Sequence, residues 1–196
     1  MQELAKRFKQ LYAGVIYDAM AFDIGITRPF VVSPDIKPLW RNRKPLVGPA
    51  FCCSGRVVPS GGSLNDTQRI KMLDAMSRGC VQVIDGGGDD GTAHFGDISA
   101  LLARLHGAVG VVIDGYTRDA RRIERQRFPL FASGTLPTDA YGRWEIVTYQ
   151  VPIMLHGAKL SSVIAMSSNT THRSMPCCST YRRMARSRSA ACPTGK

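Results

Sequence analysis

Hydrophobic and polar positions along this chain follow two periods, one helical and one strand-like. Leu4, Phe8, Leu11 and Val15 recur at helical spacing and predict one or two N-terminal helices. Residues 28–44 are interrupted by Pro29, Pro34 and Pro38, with Pro45 just after, and read mostly as loop. Residues 46–58 form an apolar strand candidate broken by Pro49. Asp66 is placed to cap a helix running to about Arg78, with Ile70, Leu73 and Met76 on one face. Residues 80–84 then read as a buried strand and residues 85–91 as a Gly/Asp loop, and a helix follows from about Asp97. Residues 108–113 are another strand and residues 118–127 another short helix. Residues 129–132 and 144–150 are later strands. This alternation predicts an α/β core with parallel strands. Within it, residues 80–132 should form two successive strand-helix units, with residues 86–97 and 114–119 at neighbouring strand ends, where open α/β sheets build ligand sites.

Composition narrows the class. The chain has 196 residues, enough for one domain with a substantial core, and its 44% hydrophobic content suits a globular protein. No apolar run approaches a membrane span, and the charged first ten residues lack the apolar core of a signal peptide, so cytoplasmic residence is expected. The net charge of +11 first suggests nucleic acid. Its distribution argues otherwise: residues 157–196 hold seven Lys or Arg and no Asp or Glu, leaving nineteen basic against fifteen acidic side chains elsewhere. Only Tyr181 interleaves that basic tail, which is a poor stacking platform for single strands. The tail's many serines and weak apolar periodicity also predict poor integration into the core after about Gly157. Cys52, Cys53 and Cys80 lie in apolar runs and read as core thiols. Cys177, Cys178 and Cys192, near His172, lack a recognised zinc spacing.

Two segments carry candidate chemistry. Gly86, Gly88 and Gly91 satisfy the G-x-G-x-x-G pattern after a strand, with Asp114 ending the next strand. Asp89 and Asp90, however, would set two negative charges against a pyrophosphate, and the helix starts several residues late. A connecting loop, or one that shapes a different anion or metal site, fits better. The second segment joins Gly96, Asp97, Ile98 and Ser99 at a helix start to Arg118 and Asp119 after the following strand, with twenty residues between Asp97 and Arg118. One helix and one strand fill that interval, so the chain can fold back and bring both ends to one place. A carboxylate there can hold a hard divalent cation, and an adjacent guanidinium can neutralise an anionic substrate. Taken alone, Arg118 and Asp119 read first as the opening of a solvated helix.

The run CVQVIDGGGDDGTAHFGDISALLARLHGAVGVVIDGYTRD resembles the superfamily of 4-hydroxy-4-methyl-2-oxoglutarate aldolases and regulators of ribonuclease activity, the RraA-like proteins. The segments VVSPDIKPLW, LVGPAFCCSGRVV, FPLFASGTLPTDAYGRWEIV and VPIMLHG extend the likeness over about residues 10–157. The resemblance implies a single-domain α/β/β/α-type sandwich of the RraA-like, phosphohistidine-domain-like kind over residues 1–157. Residues 158–196 would be an atypical basic segment: a frameshifted or replaced terminus, or a natural basic tail. It further implies a class II aldolase that cleaves a 4-hydroxy-2-oxo acid through a pyruvate enolate, with oxaloacetate decarboxylase activity at the same site. Asp119 would be the protein ligand of Mg²⁺ or Mn²⁺. Arg118 would bind the oxo acid and stabilise the enolate. The backbone amides of Gly96, Asp97, Ile98 and Ser99 would hold the substrate carboxylate, as a helix N-terminus can. Asp97 would position metal-bound water and assist proton transfer. Partners implied are a small oxo-acid substrate and further copies of the chain in a homotrimer or homohexamer, with no membrane. Two alternatives remain beside the lyase: a non-catalytic regulator that binds a ribonuclease or RNA helicase, and a catalytically defective family member. The chain departs from the family in its tail and at Arg122, where an acidic residue is common.

Overall fold

Burial with a period of two runs through the central strands. Phe51 and Cys53 face one apolar cluster while Ala50 and Cys52 face another. Val111 and Ile113 are likewise separated from Val112, and Leu130 from Phe131. A sheet with apolar side chains on both faces must be covered on both, which is the environment of parallel strands in an α/β core. The computed structural model describes residues 2–26, 31–40, 45–59 and 67–161. Helices α1 (Gln2–Phe8) and α2 (Ala13–Asp18), the latter running into a π-helical turn (Ala19–Asp23), open the chain. Then come β1 (Lys37–Pro38), β2 (Ala50–Val57), α3 (Thr67–Asp74), β3 (Val81–Asp85), β4 (Ala93–Phe95) and α4 (Asp97–Leu105). The second half holds β5 (Gly110–Asp114), β6 (Tyr116–Thr117), α5 (Ala120–Arg125), β7 (Leu130–Ala132) and β8 (Gly134–Thr135). It closes with β9 (Trp144–Tyr149), β10 (Ile153–Leu155) and β11 (Ala158–Leu160).

The main sheet has six strands in the order β1-β7-β5-β3-β2-β9. Its middle strands are parallel, and β1 and β9 close the edges antiparallel. The α/β core with parallel strands expected from the sequence is therefore present. A second, three-stranded parallel sheet, β4-β6-β8, is built from short strands that follow β3, β5 and β7. At two or three residues each, these strands are too short for periodicity to reveal. Met72 and Leu73 of α3, Ala100 and Ala103 of α4 and Ile123 of α5 cover one face of the main sheet. Ile153, Leu155 and Leu160 of the β10–β11 hairpin cover the other.

Several boundaries move for local reasons. Strand β2 begins only after Pro49, which has no N–H to give a ladder. Helix α5 begins at Ala120 rather than Arg118, because Asp119 is left-handed (φ 58°) and breaks the helical path. The predicted helix of residues 66–78 ends at Asp74, and its expected cap, Asp66, lies outside the described residues. So do Cys177, Cys178, Cys192 and the basic segment from residue 162 onward. The residues just after Gly157 are described and do not follow the expected poor integration: Ala158 and Leu160 of β11 are buried, because the hairpin packs on the main sheet. Cys52, Cys53 and Cys80 are buried core thiols as expected, and burial pushes the Cys52 and Cys53 thiols up to about 12. The Gly86–Gly91 loop leads into strand β4 rather than a helix. Without a helix N-terminus behind it, the loop offers no dipole or row of amides to a pyrophosphate, and the dinucleotide reading fails.

His94 on β4 braces this loop. Its Nδ1 lies 3.4 Å from the Tyr116 backbone N–H and must accept from it, so the ring proton belongs on Nε2, which faces Asp89 Oδ2 at 3.2 Å. The ring packs edge-on against Trp144, whose Nε1 donates to the Gly86 carbonyl at 3.0 Å. Burial holds the His94 pKa below its ordinary value, despite the opposing pull of Asp89. The unfolded chain therefore binds a proton that the folded chain refuses, and stability falls as pH drops through about 6.5. Thermal unfolding followed from pH 8 to 5.5 should show a loss of Tm that is clearly smaller in His94→Gln. Equal slopes in the two proteins would mean that His94 is not the titrating group.

Candidate active site

The site forms where β4 and β6 lie side by side. The Phe95 carbonyl, at the end of β4, accepts the Arg118 N–H at 2.9 Å and the Thr117 hydroxyl at 2.9 Å. This pairing carries the end of the β6 turn to the first turn of α4. Gly96 is extended at the N-cap, and Asp97 is the first helical residue. The Asp97 N–H faces Asp119 Oδ2 at 3.5 Å, and the Ile98 N–H donates to Asp97 Oδ1 at 2.9 Å. Arg118 Nε lies 3.4 Å from Asp119 Oδ2, and Arg118 Nη1 lies 3.7 Å from Asp139 Oδ2. The structure thus brings Gly96, Asp97, Ile98, Arg118 and Asp119 together, and Ser99 lines the same cavity.

Charge is balanced within the site. Arg122 Nη1 bonds Asp97 Oδ2 at 3.2 Å, and Arg143 Nη1 bonds Asp139 Oδ1 at 2.7 Å. Gln126 Nε2 donates to the Asp97 carbonyl at 3.1 Å. The Arg122 hydrogen bond is the main cause that holds the Asp97 carboxyl below its ordinary pKa. These side chains are partly open to water, so the pairs orient the carboxylates more than they stabilise the fold. Two N-terminal amides of α4 already face carboxylates, those of Asp97 and Asp119. Such a helix end is suited to an anion, and the protein's own side chains stand where a substrate carboxylate would compete.

A hydrated divalent cation held by a single carboxylate is compatible with this donor set. Among the described residues, no three His, Cys, Asp or Glu side chains converge on a point. That suits a cation that keeps most of its water and takes one carboxylate, as Mg²⁺ and Mn²⁺ do. Gly96 preserves the room: a β-carbon there would lie 3.0 Å from Asp119 Oδ2 and 3.3 Å from Arg118 Nε. Behind the charged mouth a cavity of about 490 Å³ runs past Phe95, Ile98 and Leu102 towards Ile84, Trp144 and Ile146.

Residues 14–163 match the family model described as "RraA-like: Aldolase/RraA", and the chain belongs to that family. A protein of Halalkalibacterium halodurans named "Putative 4-hydroxy-4-methyl-2-oxoglutarate aldolase" is 35% identical over 129 residues, 66% of this chain and 55% of the relative. One of the same name in Hahella chejuensis is 32% identical over 120 residues, covering 57% of this chain and 73% of the relative. For the relatives in Shewanella oneidensis and Halalkalibacterium halodurans, the chain thus spans only about half of their length, 44% and 55%. Among solved structures, one described as of novel cellulases from gut-associated microbes superposes with a TM-score of 0.79 at 27% identity, over 89% of this chain and 78% of that one. Streptomyces coelicolor RraAS2, described as an unusual member of the RNase ES inhibitor RraA protein family, superposes with a TM-score of 0.74 at 22% identity, over 89% of this chain and 85% of that one. At that identity the likeness establishes the fold.

Sequence reasoning noticed Arg122 only as a departure and passed over Gln82, Asp139 and Arg143. Arg122 sits one helical turn beyond Asp119, a spacing that places it beside the site. Gln82 was visible as a lone amide in the apolar run CVQVI. Removing the Arg122 guanidinium should let the Asp97 carboxyl rise towards the ordinary aspartate value of about 3.9. Carboxyl-carbon NMR titration of Arg122→Gln is the check. An unchanged Asp97 midpoint would show that the ion pair does not form in solution.

Proposed function

We propose that this protein is a divalent-metal-dependent class II aldolase that cleaves a 4-hydroxy-2-oxo acid to pyruvate and a carbonyl product, and that it also decarboxylates oxaloacetate. The observation that supports this most is the convergence of Asp97, Arg118 and Asp119 on one helix N-terminus, where Asp97 and Arg118 line a cavity. Both reactions leave an electron pair on C3 of a 2-oxo acid, and both therefore need positive charge at the oxo and carboxylate oxygens. Mg²⁺ or Mn²⁺ held by Asp119 would supply Lewis-acid stabilisation of that charge. Arg118 adds a fixed guanidinium where negative charge develops. The first amides of α4 hold the substrate carboxylate once Asp97 and Asp119 yield them. Asp97, kept ionised by Arg122, stands at the end of the path for the 4-hydroxyl proton. As that proton leaves, the C3–C4 bond breaks, C4 becomes a carbonyl, and protonation at C3 completes pyruvate. No oxidant or reductant is required.

The regulator reading draws support from the family description, which names both aldolases and RraA, and from the fold likeness, whereas the converging charges and the cavity favour catalysis. The proposal includes assembly as a homotrimer or homohexamer. Ile98, Leu101 and Leu105 form an exposed apolar stripe along α4 beside the site, which a second copy would cover. A light-scattering mass of one chain would refute that part.

Pyruvate release from oxaloacetate and from a 4-hydroxy-2-oxo acid, measured with and without Mg²⁺, tests the reaction. Asp119→Asn should abolish the metal-dependent rate. Arg118→Lys keeps the charge but loses the planar fork, and should lower kcat/KM by on the order of 10²-fold or more. Parent-like kinetics in both variants would remove these residues from the mechanism.

A further inference from the structure

Arg118 does not stand open to an incoming anion. Its Nε lies 3.4 Å from Asp119 Oδ2, and its Nη1 lies 3.7 Å from Asp139 Oδ2. Asp139 comes from a different part of the chain, the turn between β8 and β9, and like Arg118 it lines the cavity. That turn is held by its own backbone. The Thr138 carbonyl accepts the Ala93 N–H at 2.9 Å, and the Ala140 carbonyl accepts the N–H groups of Arg143 and Trp144 at 3.1 and 3.0 Å. The two Asp139 oxygens have different partners. Oδ1 accepts the Tyr141 N–H at 3.1 Å and Arg143 Nη1 at 2.7 Å, while Oδ2 faces Arg118. Arg143 Nη1 also donates to the Tyr141 carbonyl at 3.3 Å, which fixes it to the same turn.

Length separates these contacts. Charge-assisted N–H···O bonds run to about 2.7–2.9 Å. The Arg143 contact has that length, and both Arg118 contacts exceed it. The Arg118 and Asp139 side chains are also 41% and 43% exposed, so water screens their attraction. Asp139 is thus bound closely to its own turn and loosely to Arg118. It can release the guanidinium without leaving its place, because Arg143 still neutralises it. We propose that Asp139 is a tethered counter-ion of Arg118: it holds the guanidinium until the oxo acid binds, the oxo acid displaces it, and Arg143 takes up its charge. Asp139 is then a positioning residue that sets the affinity for substrate. This rests on the reading of Arg118 as the anion-binding group and deepens it by naming the anion that substrate must replace. The binding claim itself needs no turnover.

Binding of carbon-13-labelled pyruvate, which is not cleaved, followed by NMR with and without Mg²⁺, tests the assignment. Asp139→Asn keeps an oxygen to accept the Tyr141 N–H and removes the charge. It should bind pyruvate about three- to fivefold more tightly than the parent protein under both conditions, as fits the loss of one partly exposed competing pair. Arg143→Gln should bind about threefold more weakly, because Asp139 then turns its whole charge on Arg118. In the double variant the Arg143 change should add nothing, since Arg143 acts only through Asp139. Unchanged or weaker binding by Asp139→Asn overturns the proposal. Equal weakening by Arg143→Gln in both backgrounds also overturns it, since Arg143 would then act on the anion directly. Pyruvate that binds none of these proteins removes Arg118 as an anion site and the proposal with it. If the affinities follow the expected order but no 4-hydroxy-2-oxo acid yields pyruvate, the aldolase reading fails and the assignment of Asp139 stands.

Discussion

The Phe95 carbonyl is the joint on which the site depends. It accepts hydrogen bonds from the Arg118 backbone and the Thr117 hydroxyl, and so locks the start of α4 against the turn that carries Arg118 and Asp119. Twenty residues of chain separate the two segments, yet their geometry is set by one carbonyl and a parallel register in which Phe95 pairs with Thr117. The strands that lead into this pair, β3 and β5, are themselves neighbours in the larger sheet and pair Asp85 with Asp114. Apolar side chains on both faces pack those strands, with Val111 and Ile113 in one cluster and Val112 in the other.

On that frame, the unusual backbone of Asp119 becomes intelligible. A left-handed aspartate costs on the order of 1 kcal/mol, but it turns the carboxylate back towards the Asp97 amide and the Arg118 guanidinium. Gly96 answers from the other side by leaving out a β-carbon. The result is a helix end that is electrostatically prepared for an anion and already holds the protein's own. Under the proposed function, an arriving carboxylate would replace one set of charge-assisted hydrogen bonds by another, which would moderate affinity and leave binding energy to be expressed as charge shifts towards the oxo group.

Much of this was legible in the chain. The alternation of apolar runs and helical stripes placed the central strands and α4, and the spacing from Asp97 to Arg118 pointed to one site. What the sequence concealed is short or non-local. Strands β4, β6 and β8 leave no periodic trace at two or three residues each, although β4 and β6 are the pieces that join the site. Helix α5 was drawn too early because nothing in Arg118-Asp119-Ala120 announces a left-handed aspartate. The link from Arg122 to Asp97 spans 25 residues, and the isolation of Gln82 depends on which atoms surround it, so neither can be read along the chain.

The central claim is that Asp119 holds a hydrated divalent cation beside an anion cradle made by Arg118 and the first amides of α4. A crystal soaked with Mn²⁺ and oxalate, a planar mimic of the pyruvate enolate, tests it most directly through anomalous scattering at the manganese edge. The claim predicts one strong manganese peak at the Asp119 carboxylate, with oxalate bridging it to Arg118 and the amides of residues 96–99. Manganese bound elsewhere, or oxalate held away from Arg118, would contradict it.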